Sequence, residues 1–299
     1  MYFTSIILIN IIKTEIHIVP ALSYPVRLQE YGVGIFSLVP TKSALKKALK
    51  KEYITVNDII ASSATFINGG EVIKLLMPEK NIPKRNLVFP LKVIFEDEYL
   101  AVIHKPAGIL VSGNSFKTIA NALSQNLKIS SSDDVTIAQP VHRLDYATTG
   151  VLLVGKTSSS IRVLNKMFED KKIIKKYYAV TIGKMKNSGE ITSDIDGKKS
   201  QSSYTLLESV KSERFGKLNL VKLELKTGRR HQLRKHLSSI GNPILGDKEY
   251  GIKNLILNGK GLYLHAYSLE FIHPFSNEKM YFIDELPKRF VKIFEHIKR

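Results

Sequence analysis

Along residues 41–51, TKSALKKALKK, apolar Leu45, Ala48 and Leu49 recur at helical spacing behind a polar cap candidate, Thr41 or Ser43, while Lys46, Lys47, Lys50 and Lys51 fall on the other side. The pattern predicts a short amphipathic helix with a basic face. In the stretch that follows, EYITVNDIIASSATFINGGEVIKLL, short apolar runs are punctuated by Asn57-Asp58 and Asn68-Gly69-Gly70, both turn signals, so it reads as short strands. MPEKNIPKRN then sets prolines and charges between apolar runs, which marks a linker and puts a domain boundary near Arg85.

Beyond the linker, LKVIFEDEYLAVIHKPAGILV reads as two strands around an acidic turn. A helix near 118–126 and a polar loop, KISSSDDVT, come next. A strand at 150–154, a helix at 158–169, strands at 176–182, 201–207 and 218–225, a helix at 231–240 and a last helix near Lys288 complete the order. Strands adjoin one another as often as they alternate with helices. That favours an α+β class with a mixed, largely antiparallel sheet over a doubly wound parallel one. At the other end, the apolar run from Ile6 to Ile12 is broken by Asn10 and is shorter than the roughly 20 residues that span a bilayer. It lacks the positive leader and small-residue cleavage site of a secretory signal, so residues 1–14 read as an apolar tail or an over-called start.

Composition adds a partner. The 299 residues carry 45 Lys+Arg against 27 Asp+Glu, a formal net charge of +18 with a sequence pI of about 9.7, which concentrates polyanions around the chain and makes nucleic acid the leading candidate. A lysine-favouring genome is the alternative source of such a pI. No cysteine is present, which removes disulfides, thiolate metal sites and a thiol nucleophile and fits a reducing compartment such as the cytoplasm.

VHRLDYATTGVLLVGKT, residues 141–157, supports two opposed readings. Its end, from Gly150 to Thr157, satisfies the G-x-x-x-x-G-K-[ST] pattern of a phosphate-binding loop. Such a loop needs open backbone N–H groups. Val151, Leu152, Leu153 and Val154 instead have strand character, and a strand has already committed its N–H groups to its neighbours, so the pattern is accidental. Its beginning places Asp145 in a turn ahead of that strand, where a rigid scaffold can hold a loop acid for chemistry. Taken alone, Asp145 reads equally as a turn aspartate paired with Arg143 or a threonine.

Elsewhere, TGRRHQLRKHL gathers Arg229, Arg230, His231, Arg234, Lys235 and His236 around a helix start. Arg234 can offer a planar guanidinium to a carboxylate, and the other cations can meet phosphates. His231 and His236 are off the i, i+4 spacing of a two-histidine metal site, so no metal is expected. KKIIKKYYAVTIG leads a lysine-rich turn into Tyr177 and Tyr178, either of which could stack on an extruded base or simply pack in the core.

In that order, HRLDYATTGVLLVGKT, KKYYAVTIG, TGRRHQLRKHLSSIGNPILGDKEYG and LYLHAYSLEFIHP resemble the successive motifs of the RluA-type pseudouridine synthases. The resemblance runs over about residues 91–274. Residues 15–85 are similar to the small alpha-L type RNA-binding module, and 86–299 to the catalytic domain. Departures are mild: Thr149 stands where the family usually has serine and Gly155 where alanine is common.

The resemblance implies conversion of uridine to pseudouridine in structured RNA, ribosomal more than transfer RNA, by a monomer needing no metal, cofactor or membrane. It implies Asp145 as the catalytic acid residue, either nucleophile or base, Arg234 as its ion-pair partner and Tyr177 as the side chain that packs on the target base. Base flipping is required because the reacting carbon is hidden in a stack. Arg143 is then placed to fill the vacated space, and Leu264 to wall the pocket. Lys46, Lys47, Lys50, Arg229 and Arg230 are the remaining RNA-binding candidates. The competing reading is a non-catalytic RNA-binding protein on the same fold.

Overall fold

The computed structural model describes residues 12–78, 87–257 and 259–294, and the chain divides into two units, Met1–Lys84 and Arg85–Arg299. Of the proposed linker at 77–86, Met77 and Pro78 instead close the last strand of the first unit, while residues 79–86 and the apolar residues 1–11 lie outside the described residues.

In the first unit, β1 (Ile12–Ile18), β2 (Val26–Arg27), α1 (Leu28–Tyr31), α2 (Lys42–Lys50), β3 (Ile54–Val56), β4 (Ile59–Ile60), β5 (Phe66–Ile67) and β6 (Val72–Pro78) follow in order. Thr41 is the cap of α2, its hydroxyl accepting the Ala44 N–H at 3.2 Å. The apolar stripe Leu45, Ala48 and Leu49 is buried with Leu28, Ile54, Ile73 and Leu75, which leaves Lys46, Lys47 and Lys50 exposed. The sheet runs β1-β6-β3-β4, all antiparallel. Residues 12–14, assigned to a tail by the sequence reading, belong instead to β1, which pairs Ile12 with Pro78 through Ile18 with Val72. An isolated apolar run carries no sign of a strand partner that lies some sixty residues away, hence the difference.

The second unit contains β7 (Val93–Glu96), β8 (Leu100–Lys105), α3 (Ile119–Ala122), β9 (Val135–Pro140), β10 (Thr149–Thr157), α4 (Ser158–Glu169), β11 (Ile174–Ile182) and β12 (Ser188–Ile191). Then come β13 (Ser202–Ser212), β14 (Gly216–Leu225), α5 (Gln232–Ser239), β15 (Leu264–Ile272), β16 (Lys279–Ile283) and α6 (Lys288–Val291). The strands form one sheet in the order β12-β13-β14-β11-β15-β10-β8-β7, with β16 added to β15 and β9 to β10. Every pairing is antiparallel except β10 with β15, so the class is the mixed, largely antiparallel α+β one that the element order implied. Among the described residues no helix is long and apolar enough to cross a membrane.

The apparent phosphate-loop pattern is packing. β10 is buried along its whole length. Gly150 has φ +120°, and a Cβ there would lie 2.1 Å from the Ala266 carbonyl oxygen, so glycine is what lets β10 approach β15. A Cβ on Gly155 would lie 2.6 Å from Ile161 Cγ1 of α4. Lys156, 3% exposed, pairs with Glu96 at 2.8 Å and donates to the Asp97 carbonyl, so its ammonium is committed to the protein itself.

Candidate active site

Asp145 stands on the loop between β9 and β10, and that loop is tied down from β8. Lys105, the last residue of β8, is fully buried and donates to the carbonyls of Pro106 at 3.0 Å, Tyr146 at 3.3 Å and Thr148 at 2.8 Å. An ammonium has three N–H donors, so two of the three go into the turn that carries Asp145 and the third to the residue that follows Lys105. Gly108 N–H adds a bond to the Tyr146 carbonyl at 2.8 Å. Burial pushes Lys105 down to about 8, with the Asp145 charge acting the other way.

Lys105→Met is expected to cost about 2 kcal/mol in denaturant unfolding, since three carbonyls lose their donor while a buried charge is removed. Between about 8 and the ordinary value of 10.5 the fold binds fewer protons at Lys105 than the unfolded chain does. Wild-type stability therefore gains with pH across that window, and its margin over the variant should widen. A margin that is flat with pH would contradict the buried-ammonium account.

Around Asp145 the sequence-named residues converge, with one change of partner. Arg234, on α5, places Nη1 3.9 Å from Asp145 Oδ2, but its close pairing is with Asp247: Nε at 2.7 Å from Oδ2 and Nη2 at 2.8 Å from Oδ1. Glu249 lies 3.2 Å from Nη2, and the guanidinium carbon sits 4.8 Å from the centre of the Tyr250 ring. The expectation of Arg234 as the partner of Asp145 is thus only the outer part of its role. Burial pushes the Asp247 carboxyl up, but the Arg234 hydrogen bonds outweigh it and hold the group below the ordinary range. The guanidinium is fixed in place by a second, fully buried carboxylate.

His231 caps α5 in the left-handed region at φ +54°, rare for a side chain of that size. Its Nε2 lies 3.8 Å from Asp145 Oδ1 and its Nδ1 3.0 Å from the Tyr250 hydroxyl. Burial lowers the imidazole's affinity for a proton, and the Asp145 charge opposes this only in part. His236 turns elsewhere, to the hydroxyls of Ser200 at 2.8 Å and Ser202 at 3.0 Å.

Tyr177, on β11, is 6% exposed. Burial and the Asp145 charge hold its phenol well above the ordinary tyrosine range, so it can wall the site or donate a hydrogen bond but is a poor proton acceptor. Asp145, Tyr177, Leu264, Thr148 and Arg143 line a cavity of about 780 Å³. Asp145 and Arg143 also line an adjoining one of about 440 Å³, which Arg234 and Glu249 complete. Arg229 and Arg230 stand exposed at the rim of the larger cavity, where Arg229 Nε donates to the Lys199 carbonyl at 3.3 Å. Lys46, Lys47 and Lys50 belong to the other unit.

Sequence reasoning did not single out Lys105, Asp247, Glu249 or Tyr250. A signal for Asp247 was present in the glycine before it. Gly246 has φ +80°, and a Cβ there would lie 2.0 Å from the Gly261 carbonyl oxygen, which marks a tight turn. Asp247 closes that turn by accepting the N–H groups of Glu249 and Tyr250, each at 3.0 Å.

Residues 99–239 match a family model described as RNA pseudouridylate synthase. Over 284 residues the chain is 32% identical to an uncharacterized RNA pseudouridine synthase from Aquifex aeolicus, covering 85% of this chain and 88% of that one. It is 32% identical to a ribosomal large subunit pseudouridine synthase C from Rickettsia felis, covering 80% and 86%, and 30% identical to a ribosomal large subunit pseudouridine synthase D from Nitrosomonas europaea, covering 86% and 80%. Among solved structures, the human RNA pseudouridylate synthase domain containing 4 superposes with a TM-score of 0.54 at 26% identity, covering 67% of this chain and 90% of that one.

Proposed function

The chain belongs to the RNA pseudouridylate synthase family and isomerises uridine to pseudouridine in RNA, and from that premise we propose that Asp145 is its catalytic residue and large-subunit ribosomal RNA its substrate. The observation that carries the site assignment is the seating of one carboxylate, Asp145, between the Tyr177 wall and the Arg234 guanidinium, at the junction of two cavities.

The reaction breaks the bond between the sugar and uracil N1, turns the base, joins the sugar to C5, and moves the C5 proton off as N1 gains one. Atoms and charge balance without a redox partner or an external nucleophile. Asp145 is the group within reach of the sugar. Tyr177 and Leu264 hold the freed uracil while it turns. Arg143, exposed at both cavities, enters the space that the flipped base vacates. Arg229 and Arg230 meet the backbone.

Ribosomal RNA, and with it the cytoplasm, is supported by the names of the bacterial relatives. Mapping pseudouridine in total RNA with and without the gene is expected to remove a modified uridine from large-subunit ribosomal RNA. Loss confined to transfer RNA would reassign the substrate.

The first unit tethers substrate through α2. A second weak binding surface raises the effective concentration of the cavity at its target. Reversing the exposed charges (Lys46→Glu, Lys47→Glu, Lys50→Glu) is expected to leave turnover of a short uridine stem-loop unchanged and to weaken kcat/KM on a long folded RNA by on the order of 10²-fold. Equal losses on both RNAs would mean that α2 supports the active site rather than recruiting substrate.

A further inference from the structure

Lys105, Lys156 and Lys175 of the second unit are drawn in from solvent, and they differ in what their ammonium groups meet. Lys156 has Glu96 at 2.8 Å, and Lys105 has three carbonyls. Lys175 has neither: among the described residues no carboxylate oxygen lies within 4 Å of its Nζ, and no hydrogen bond is made to it. It is half-buried, with Nζ 5.2 Å from the centre of the Phe168 ring, and burial pushes its pKa down. A desolvated cation without an oxygen partner is costly, and a ring face recovers only part of what water gave it.

The location supplies the missing partner. Lys175 and Tyr177 are two apart on β11, hence on one face of the strand and roughly 6.5 Å from each other along it. Both line the 780 Å³ cavity, together with Asp145, Leu264, Phe168, Ile173 and Ile174. Sites that enclose a drug-sized ligand run to roughly 300–1,000 Å³, so this one has room for more than a single base. Next to Tyr177 the register against β15 shifts, Lys176 pairing with Ser268 and Tyr177 with Ala266, which makes Tyr267 of β15 the extra residue and leaves the alternation of β11 intact. Glu169 and Glu224 also line the cavity, but neither reaches Lys175. The Phe168 ring is supported on another side by His142, 4.7 Å between centroids. The His142 Nε2 accepts the Leu153 N–H at 3.0 Å, and burial lowers its pKa to about 3, so no second cation competes there.

We propose that Lys175, seated on Phe168, binds a phosphodiester of the RNA strand immediately beside the flipped uridine and so sets the register of that strand against Asp145. The assignment rests on the reading of the Asp145 cavity as the uridine site. It makes Lys175 a positioning residue that touches backbone and not base.

The test uses the full chain and a stem-loop RNA with one target uridine, prepared as a series in which one phosphodiester at a time is a neutral methylphosphonate. With the wild-type chain, one linkage next to the target should be sensitive, its neutralisation weakening binding roughly ten- to hundredfold. Lys175→Met, which keeps the length and the apolar stem, should show that same weakening on unmodified RNA and no further loss when that linkage is neutral. Its plot of log affinity against log salt should be shallower by about 0.7 to 0.9. Lys175→Arg should restore the sensitivity, and KM should move more than kcat.

A wild-type chain indifferent to every linkage flanking the target would overturn the proposal without any variant. So would a methionine variant with an unchanged salt slope and full sensitivity at every linkage. If the wild-type chain converts no uridine at all, the reading of the cavity itself fails; conversion without phosphate sensitivity sinks only the role given to Lys175.

Discussion

Asp145→Asn is expected to leave no measurable pseudouridine formation, a loss of at least about 10²–10⁴-fold, while the affinity for RNA stays within about twofold of wild type. The asymmetry follows from the geometry. The side-chain nitrogens that face the carboxylate, His231 Nε2 and Arg234 Nη1, stand 3.8 Å and 3.9 Å from it, beyond direct hydrogen bonding, so an amide of the same size disturbs little of the surrounding structure. RNA affinity comes from phosphate contacts spread over many lysines and arginines, none of which the substitution touches. What the amide lacks is the negative charge and the basicity that the sugar or its proton must meet. Binding and turnover should be measured on one RNA, after checking that the variant unfolds at the wild-type midpoint. An asparagine variant that turns over at the wild-type rate would remove Asp145 from the chemistry.

The sequence showed the elements that carry their own pattern. α2 has a cap and an apolar stripe, and α4 is capped by Thr157, whose hydroxyl accepts the Ser160 N–H; both helices fall within a residue of where periodicity put them. β10 was recognisable from four consecutive apolar residues, and its strand character was enough to reject the phosphate loop. β15 and β16 were not picked out as strands: the buried polar residues His265 and Ser268 interrupt the apolar run of β15, and β16 is only five residues long. His265, Ser268 and Asp284 are all within 5% of full burial. They are tolerated because they are bonded: His265 Nδ1 meets the Thr149 hydroxyl at 2.8 Å and its Nε2 the Asp284 carbonyl at 3.0 Å, and the Asp284 carboxylate meets His104.

The first of those bonds also accounts for a departure from the family pattern, since threonine at 149 keeps the hydroxyl that serine would supply. At the site, Asp145, Tyr177, Arg234 and Leu264 were named through the resemblance to the family, which works on motifs along the chain. It could not reveal Lys105, because a lysine closing an apolar strand looks like one that reaches out to water. Nor could it reveal Asp247, whose pairing with Arg234 depends on a turn shaped by Gly246.

Arg234→Met is expected to cost about 3–5 kcal/mol of stability and most of the turnover, and the two losses should separate in a second substitution. Asp247 has no solvent exposure in its side chain and Arg234 only 10%, so removing the guanidinium strands a buried carboxylate. The penalty comes from that uncompensated charge more than from the lost attraction. Arg234→Met combined with Asp247→Asn should therefore recover much of the stability, since the amide can keep the hydrogen bonds from Glu249 and Tyr250 without a charge to desolvate. Turnover should not recover, because neither change returns a cation to the edge of Asp145.

The pH dependence has a definite sign. In the wild type the Asp247 carboxyl is held below its ordinary range, so its contribution to stability is present above that range and disappears as pH falls through the folded value. Once Asp247 is protonated it no longer needs the guanidinium. The gap between wild type and Arg234→Met should then narrow from neutral pH to mild acid, whereas the gap between wild type and the double variant should change less. Denaturant midpoints for the three proteins at both pH values, with pseudouridine formation on one RNA, complete the cycle. A single variant as stable as wild type would show that Asp247 is compensated by something other than Arg234. A double variant that regains turnover would mean that Arg234 serves only the turn beneath it and leaves Asp145 unassisted.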